Sequence, residues 1–179
     1  VKSNVNQIKK EESEYSFESS INSNIKFTRF YSLEELKIMA NDSKYTGMIN
    51  IDYLSSKAGR ELLSKLSEFN YETGTVLSFK QSNIDDRALE FLSFCQFKQL
   101  QKLILDRTQI TDKAIEFLMK CDFKLLKELD LEKTHITDKS IEYLIECDFK
   151  ELKELDLTKV QISDMSRLKS KYPNCTIYL

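Results

Sequence analysis

The feature that most constrains this chain of 179 residues is an internal repeat of 26 residues. Residues 113–138 and 139–164 are identical at 17 of 26 positions without a gap. Residues 87–112 keep the same register, and residues 61–86 form a weaker unit before them. A fixed period of this length is typical of solenoids, in which each unit buries its apolar face only against its neighbours. The sequence therefore predicts four stacked, equivalent units over 61–164.

Each unit contains two periodicities. The alternation in Leu129-Asp130-Leu131 favours a short strand, whereas Ile141, Leu144 and Ile145 recur at helical spacing. One unit is thus a strand, a turn, a helix and a return loop, which predicts an α/β solenoid with a parallel sheet. The leucines of the strand segments are expected to point into its core: Leu103, Leu105, Leu129, Leu131, Leu155 and Leu157.

A short polar pair separates the strand from the helix in every unit. Thr137-Asp138 carries side-chain oxygens that can accept hydrogen bonds from the first free amides of a helix. Thr111-Asp112, Ser163-Asp164 and Asp85-Asp86 stand at the equivalent places. We expect these pairs to cap the helices without glycine, of which the chain has only 3.

The strand and turn pattern L-x-x-L-x-L-x-x-T-x-I occurs at 100–110 and 126–136. The segment 152–162 has Val160 in place of threonine, and 74–84 departs at Gly74, Phe79 and Ser82. The pattern resembles that of leucine-rich repeat proteins, and the 26-residue unit is similar to the ribonuclease-inhibitor-like and cysteine-containing subclasses found in F-box adaptors. The resemblance implies a concave parallel sheet, convex helices and a role in protein binding.

The ends of the array need to cover its terminal apolar faces. Residues 28–60 are predicted to form an N-terminal cap, and 165–179 a C-terminal cap whose helix ends before Pro173. Residues 1–27 are rich in Ser, Asn, Glu and Lys, which predicts a flexible arm. The alternative is an arm that docks Tyr15, Phe17 and Ile21 on a partner.

Composition limits the classes of ligand. With 27 basic and 29 acidic side chains, the chain offers no general attraction to nucleic acid. No run of 18 apolar residues predicts membrane insertion. Cys95, Cys121 and Cys147 recur at one place in the repeat and are interpreted as packing residues, since the chain lacks the ligand spacing of a zinc site.

No phosphate-binding loop or hydrolase motif is present, and His135 replaces glutamine at a turn, where a solvated side chain is expected. We therefore predict that the chain is not an enzyme and needs no cofactor or metal.

The strand positions between the leucines predict the partner-binding surface. Stacking the units gives columns on the concave face that become acidic in the last two repeats. One interpretation is a binding face for a basic segment of a partner; the other is a solvated face neutralised by the column Gln81, Arg107, Lys133 and Lys159. The candidate contact residues are Ile104, Asp106, Glu128, Asp130, Glu132, Glu154 and Asp156.

These observations predict a non-catalytic scaffold or adaptor subunit of a hetero-complex. Four cysteines without a paired spacing favour a reducing intracellular compartment, the cytoplasm first and the mitochondrion as the alternative. Two other functions stay open: the substrate-recognition module of an F-box ubiquitin ligase, and a fragment of a larger enzyme or mitochondrial complex-associated factor.

Overall fold

A computed structural model describes residues 27–29, 48–50, 75–95 and 97–179. Within these residues, seven strands form one parallel sheet in chain order. The strands are β1 (Phe27–Arg29), β2 (Met48–Asn50), β3 (Val76–Ser78), β4 (Lys102–Ile104), β5 (Glu128–Asp130), β6 (Glu154–Asp156) and β7 (Thr176–Tyr178).

From β3 onward, a helix follows each strand except the last. These helices are α1 (Asp86–Leu92), α2 (Asp112–Leu118), α3 (Lys139–Glu146) and α4 (Ser166–Lys171), each of 6 to 8 residues. Neighbouring helices pack against one another along the array. Across the part of the chain that is described, none of the helices has the length and apolar character needed to span a bilayer.

The sheet register repeats the sequence period. Leu77 pairs with Leu103, Leu103 with Leu129, and Leu129 with Leu155. Every leucine predicted to face the core is at most 1% exposed. The predicted α/β solenoid is therefore confirmed, because each of the strands β3 to β6 buries its central leucine between the sheet and the row of helices.

The three repeated cysteines pack against the core as predicted. The Sγ atoms of Cys95, Cys121 and Cys147 donate hydrogen bonds to the carbonyl four residues earlier, at 3.5, 3.7 and 3.3 Å. Burial raises the pKa of the thiols of Cys95 and Cys147 to about 12, and that of Cys121 further. The thiols are thus neutral packing groups with little nucleophilic character.

Each turn that follows one of the strands β3 to β6 passes through a residue with positive φ. The four positions are Gln81 (56°), Arg107 (54°), Lys133 (53°) and Lys159 (61°), where glycine would be the least strained choice. The backbone N–H groups of the first three donate to the next repeat, at distances of 2.8 to 3.0 Å. These bonds compensate for the strain, which explains how the repeats turn with so little glycine.

The polar pairs have a second role that the sequence reading missed. Thr111 Oγ1 accepts from Lys113 N at 3.3 Å and caps α2, as predicted. Asp112, however, accepts from the N and Oγ1 of Thr137 in the next repeat, both at 2.8 Å, and from Ser140 Oγ. Asp86 binds Thr111 in the same way, and Asp138 binds Ser163. We call Asp86, Asp112 and Asp138 the ladder aspartates, because they join repeats.

The C-terminal end of the array is closed by α4 and β7. The buried hydroxyl of Tyr172 donates to the carbonyls of Leu144 and Cys147, at 2.8 and 3.1 Å, and Pro173 follows directly. The predicted arm residues Tyr15, Phe17 and Ile21 lie outside the described residues, as does most of the predicted N-terminal cap.

Candidate functional site

The strand face becomes more exposed along the array. Val76 and Ser78 of β3 are buried, whereas Glu128 and Asp130 of β5 are half-buried and Glu154 of β6 is exposed. The expectation of open columns is therefore wrong at β3 and holds from β4 onward. The accessible part of the face includes the acidic residues of β5 and β6.

Among the candidate contact residues that the structure describes, Asp106 is the one whose side chain is buried and so not accessible to a partner. Its side chain is 1% exposed, because Lys80 Nζ lies 3.3 Å and Arg107 Nε 3.8 Å from Oδ2. The prediction that Asp106 meets a partner directly is thus wrong. It fails because two long basic side chains, Lys80 and Arg107, lie against this carboxylate, a contact that strand alternation alone does not reveal.

The buried carboxylate of Asp106 is poorly satisfied. Neither oxygen accepts a hydrogen bond within the described residues, so Lys80 and Arg107 interact with it through charge. Burial raises the pKa of Asp106, and Lys80 opposes that effect. This carboxylate therefore contributes negative potential to the face from below its surface.

Asp130 lies at the centre of the acidic face. Its neighbours in register are Ile104 on β4 and Asp156 on β6. Burial raises its pKa to about 6, and the charges of Asp106 and Asp156 add to this, while a hydrogen bond from Glu132 N to Oδ1 at 3.0 Å opposes it. A carboxylate in this setting is charged at neutral pH but lacks a cation of its own.

Glu128 in β5 and Glu132 just after it differ from Asp130, because each has a basic partner. Glu128 pairs with Lys102 of the preceding strand. Glu132 accepts from Lys133 Nζ at 2.8 Å, which holds the pKa of Glu132 below its usual range. These two predicted contact residues are accessible but already neutralised, in line with the self-compensated interpretation.

The unpaired acidic surface lies over β5 and β6. Within the described residues, Oδ1 of Asp156 accepts one hydrogen bond, from the backbone N–H of Thr158 at 2.8 Å. Glu154 is exposed beside it. Ile104 is half-buried at the edge of this surface. We define the acidic face as Ile104, Asp130, Glu154 and Asp156, the candidate residues that the structure brings together in an accessible position without a basic partner.

The acidic face suits recognition better than chemistry. Within residues 75–95 and 97–179, no three His, Cys, Asp or Glu side chains are grouped so as to hold a metal ion. Half-buried carboxylates in a partly dry surface attract ammonium or guanidinium groups more strongly than exposed ones do. Sequence analysis named Arg107 as a neutralising residue of this face but missed Lys80 as a partner of Asp106, although Lys80 stands 26 residues, one repeat, before it.

Comparison with known proteins gives a likeness in structure alone. No family model matches the sequence, and no curated protein matches it. The actin-binding site 2 of leiomodin-1 is similar in structure, with a TM-score of 0.54 and 16% identity over 79% of this chain and 86% of that one. The internalin InlF of Listeria monocytogenes is also found, with a TM-score of 0.37 and 14% identity over 78% of this chain and 48% of that chain.

The repeat register, the parallel sheet and the stacked helices define a solenoid of the leucine-rich-repeat type. The likeness to the leiomodin-1 structure agrees with that assignment of the fold. The predicted ribonuclease-inhibitor-like and F-box subclass stays a prediction.

Proposed function

We propose that this chain is a non-catalytic protein-binding module, a scaffold or adaptor subunit whose acidic face receives a basic segment of a partner. The observation that carries the proposal is the environment of Asp130, where three carboxylates lie close together and, among the described residues, only the buried Asp106 forms ion pairs. Such an arrangement costs folding free energy in the free chain, and a cationic partner relieves that cost. Leiomodin-1, the structural neighbour, is described by an actin-binding site, which agrees with a protein partner.

The width of the whole strand face limits the size of the segment that a partner can place on it. Seven strands at about 4.8 Å spacing span roughly 29 Å, which accommodates one helix or a short extended segment. A lysine or arginine of that segment would pair with Asp130 and Asp156, and an apolar side chain would contact Ile104. A hetero-complex then needs additional contacts elsewhere, for which Tyr15, Phe17 and Ile21 are the proposed residues.

The compartment is proposed from the thiols. All four cysteines are free, and three of them are packed as neutral groups within the core. A chain that uses cysteine for packing rather than cross-linking suits a reducing intracellular compartment.

The test uses three peptides of equal length, basic, neutral and acidic, titrated into the full isotope-labelled chain and followed by NMR. We expect the basic peptide alone to shift the amide signals of β4 to β6, and its affinity to rise between pH 5 and pH 7 as Asp130 loses its proton. The double variant Asp130→Asn, Asp156→Asn should bind about tenfold more weakly, at roughly 0.7 kcal/mol for each lost ion pair.

The matched control is Glu142→Gln with Glu151→Gln, which removes the same charge from exposed positions outside the acidic face. Equal weakening in the control would attribute binding to net charge. Unchanged binding in the Asp130 and Asp156 variant would remove the acidic face from the proposal.

A further inference from the structure

A groove of about 300 Å³ lies beside the turns that follow β5 and β6, at the carboxyl end of the sheet. Its charged groups are basic, in contrast to the acidic face. The side chains and backbone of six residues line it: Lys133, Thr134, His135, Ile136, Lys159 and Gln161.

Two lysines share one carboxylate at this groove. Oε1 of Glu132 lies 2.8 Å from Lys133 Nζ and 3.9 Å from Lys159 Nζ. The two ammonium groups are close to each other. The side chain of Lys133 and its positive charge both lower the pKa of Lys159. Arg107, at the equivalent turn of the previous repeat, adds to the positive potential. One carboxylate cannot neutralise this set, which leaves room for a second anion.

The positions of the two lysines are costly for the chain. Both residues have positive φ, where glycine would be less strained. The same turn carries Gln81 and Arg107 in the earlier repeats, so the backbone conformation belongs to the repeat. What distinguishes this groove is that two consecutive turns place a lysine there.

Further donors face the same space. The side chains of His135 and Gln161 are exposed and form no hydrogen bond within the described residues. Thr134 Oγ1 donates to the carbonyl of Leu131 at 2.8 Å, which fixes the turn beneath them. The groove therefore combines two ammonium groups with an imidazole and an amide that are free to reorient.

We propose that this groove binds a phosphate monoester dianion, held between Lys133 and Lys159 with His135 and Gln161 as additional donors. A monoester carries a charge of about −1.5 to −2 at pH 7 and three acceptor oxygens, which match two ammonium groups and two further donors. A carboxylate carries a single charge and two oxygens, and Glu132 already provides that interaction. The inference rests on a different surface from the acidic face and stands independently of it.

The experiment titrates the full labelled chain at constant ionic strength with inorganic phosphate and with a neutral peptide that contains one phosphoserine. Amide signals of residues 133–136 and 159–161 are expected to shift. Lys133→Gln and Lys159→Gln should each weaken binding about fivefold, as expected for loss of one exposed ion pair. Glu132→Gln should strengthen binding, because it removes the competing carboxylate.

Two controls separate the site from general charge. Lys153→Gln removes one exposed lysine at the amino end of β6, opposite the carboxyl end where the groove lies, and should leave binding unchanged. Glu151→Gln adds the same charge as Glu132→Gln outside the groove and should also be neutral. Tighter binding of the phosphopeptide than of inorganic phosphate would assign the dianion to a phosphorylated protein, and equal binding would assign it to a small phosphate compound.

The proposal is overturned by either of two results. One is that the phosphate shifts persist in the double variant Lys133→Gln, Lys159→Gln. The other is that the unphosphorylated peptide, or an oligonucleotide of singly charged phosphodiesters, binds as tightly as the phosphopeptide.

Discussion

Aspartates occur in two settings in this solenoid, and the fold treats them in opposite ways. The ladder aspartates accept paired hydrogen bonds from the next repeat, and for Asp112 these outweigh burial and hold the pKa below its usual range. The strand-face aspartates Asp106 and Asp130 are buried or half-buried beside one another, and burial raises the pKa of each. The charge of the first set stabilises the fold, whereas the charge of the second set destabilises it.

The largest expected effect comes from breaking the interior of the ladder. Asp112→Ala leaves the N–H and hydroxyl of Thr137 and the fully buried Ser140 without their acceptor. We expect a loss of about 2 to 3 kcal/mol in the free energy of unfolding, measured by urea denaturation at pH 7. Asp122→Ala, which removes an exposed surface carboxylate in the next repeat, is the control and should cost far less. Equal losses would mean that the ladder does not stabilise the array.

The second effect has the opposite sign. Asp130→Asn should stabilise the chain by about 1 to 2 kcal/mol at pH 8, after allowance for partial exposure, since one pKa unit corresponds to 1.36 kcal/mol. The Oδ1 acceptor for Glu132 N is kept in the variant. Because the folded pKa is about 6 and the unfolded one about 3.9, the destabilisation of the parent chain grows as pH rises from about 4 to 6. Parent and variant should therefore be nearly equal at pH 4.

The control for that pH dependence is Glu154→Gln, which removes an exposed carboxylate from the same face. Its unfolding free energy should differ little from that of the parent at both pH values. A stabilisation by Glu154→Gln as large as that by Asp130→Asn would indicate a general charge effect.

A smaller destabilisation is expected at the exposed end of the ladder. Asp138 accepts from Ser163 N at 2.7 Å and from Ser163 Oγ at 2.6 Å, and these bonds lower its pKa. Asp138→Ala should lower the urea midpoint, but by less than Asp112→Ala, since solvent replaces the lost bonds. The parent chain should lose this contribution as pH falls below the usual range of aspartate. A midpoint shift larger than that of Asp112→Ala would contradict the role of burial.

The smallest effect is expected at Asp164. This residue accepts only the backbone N–H of Ser166, at 2.8 Å, and joins no further repeat within the described residues. Asp164→Ala should therefore affect α4 alone, which amide hydrogen exchange can resolve. Increased exchange in α3 or α2 would show that Asp164 also supports the stack.

The fold was predictable because the 26-residue period and the alternation of Leu129 and Leu131 are direct consequences of stacking. The division of the aspartates was only partly predictable. The Thr-Asp pairs were correctly placed at the helix starts, but whether an oxygen binds its own helix or the next repeat depends on the distance between repeats. The burial of Asp106 was not predictable, because it depends on how the side chains of Lys80 and Arg107 pack against it.

The most direct test of the division between the two sets is a pH titration of the side-chain carboxyl signals of the full chain by ¹³C NMR. We expect the titration of the Asp130 carboxyl to have its midpoint near pH 6, and that of the Asp112 carboxyl to have its midpoint below the usual aspartate range. Overlapping midpoints for the two residues, near the usual value of about 3.9, would contradict it.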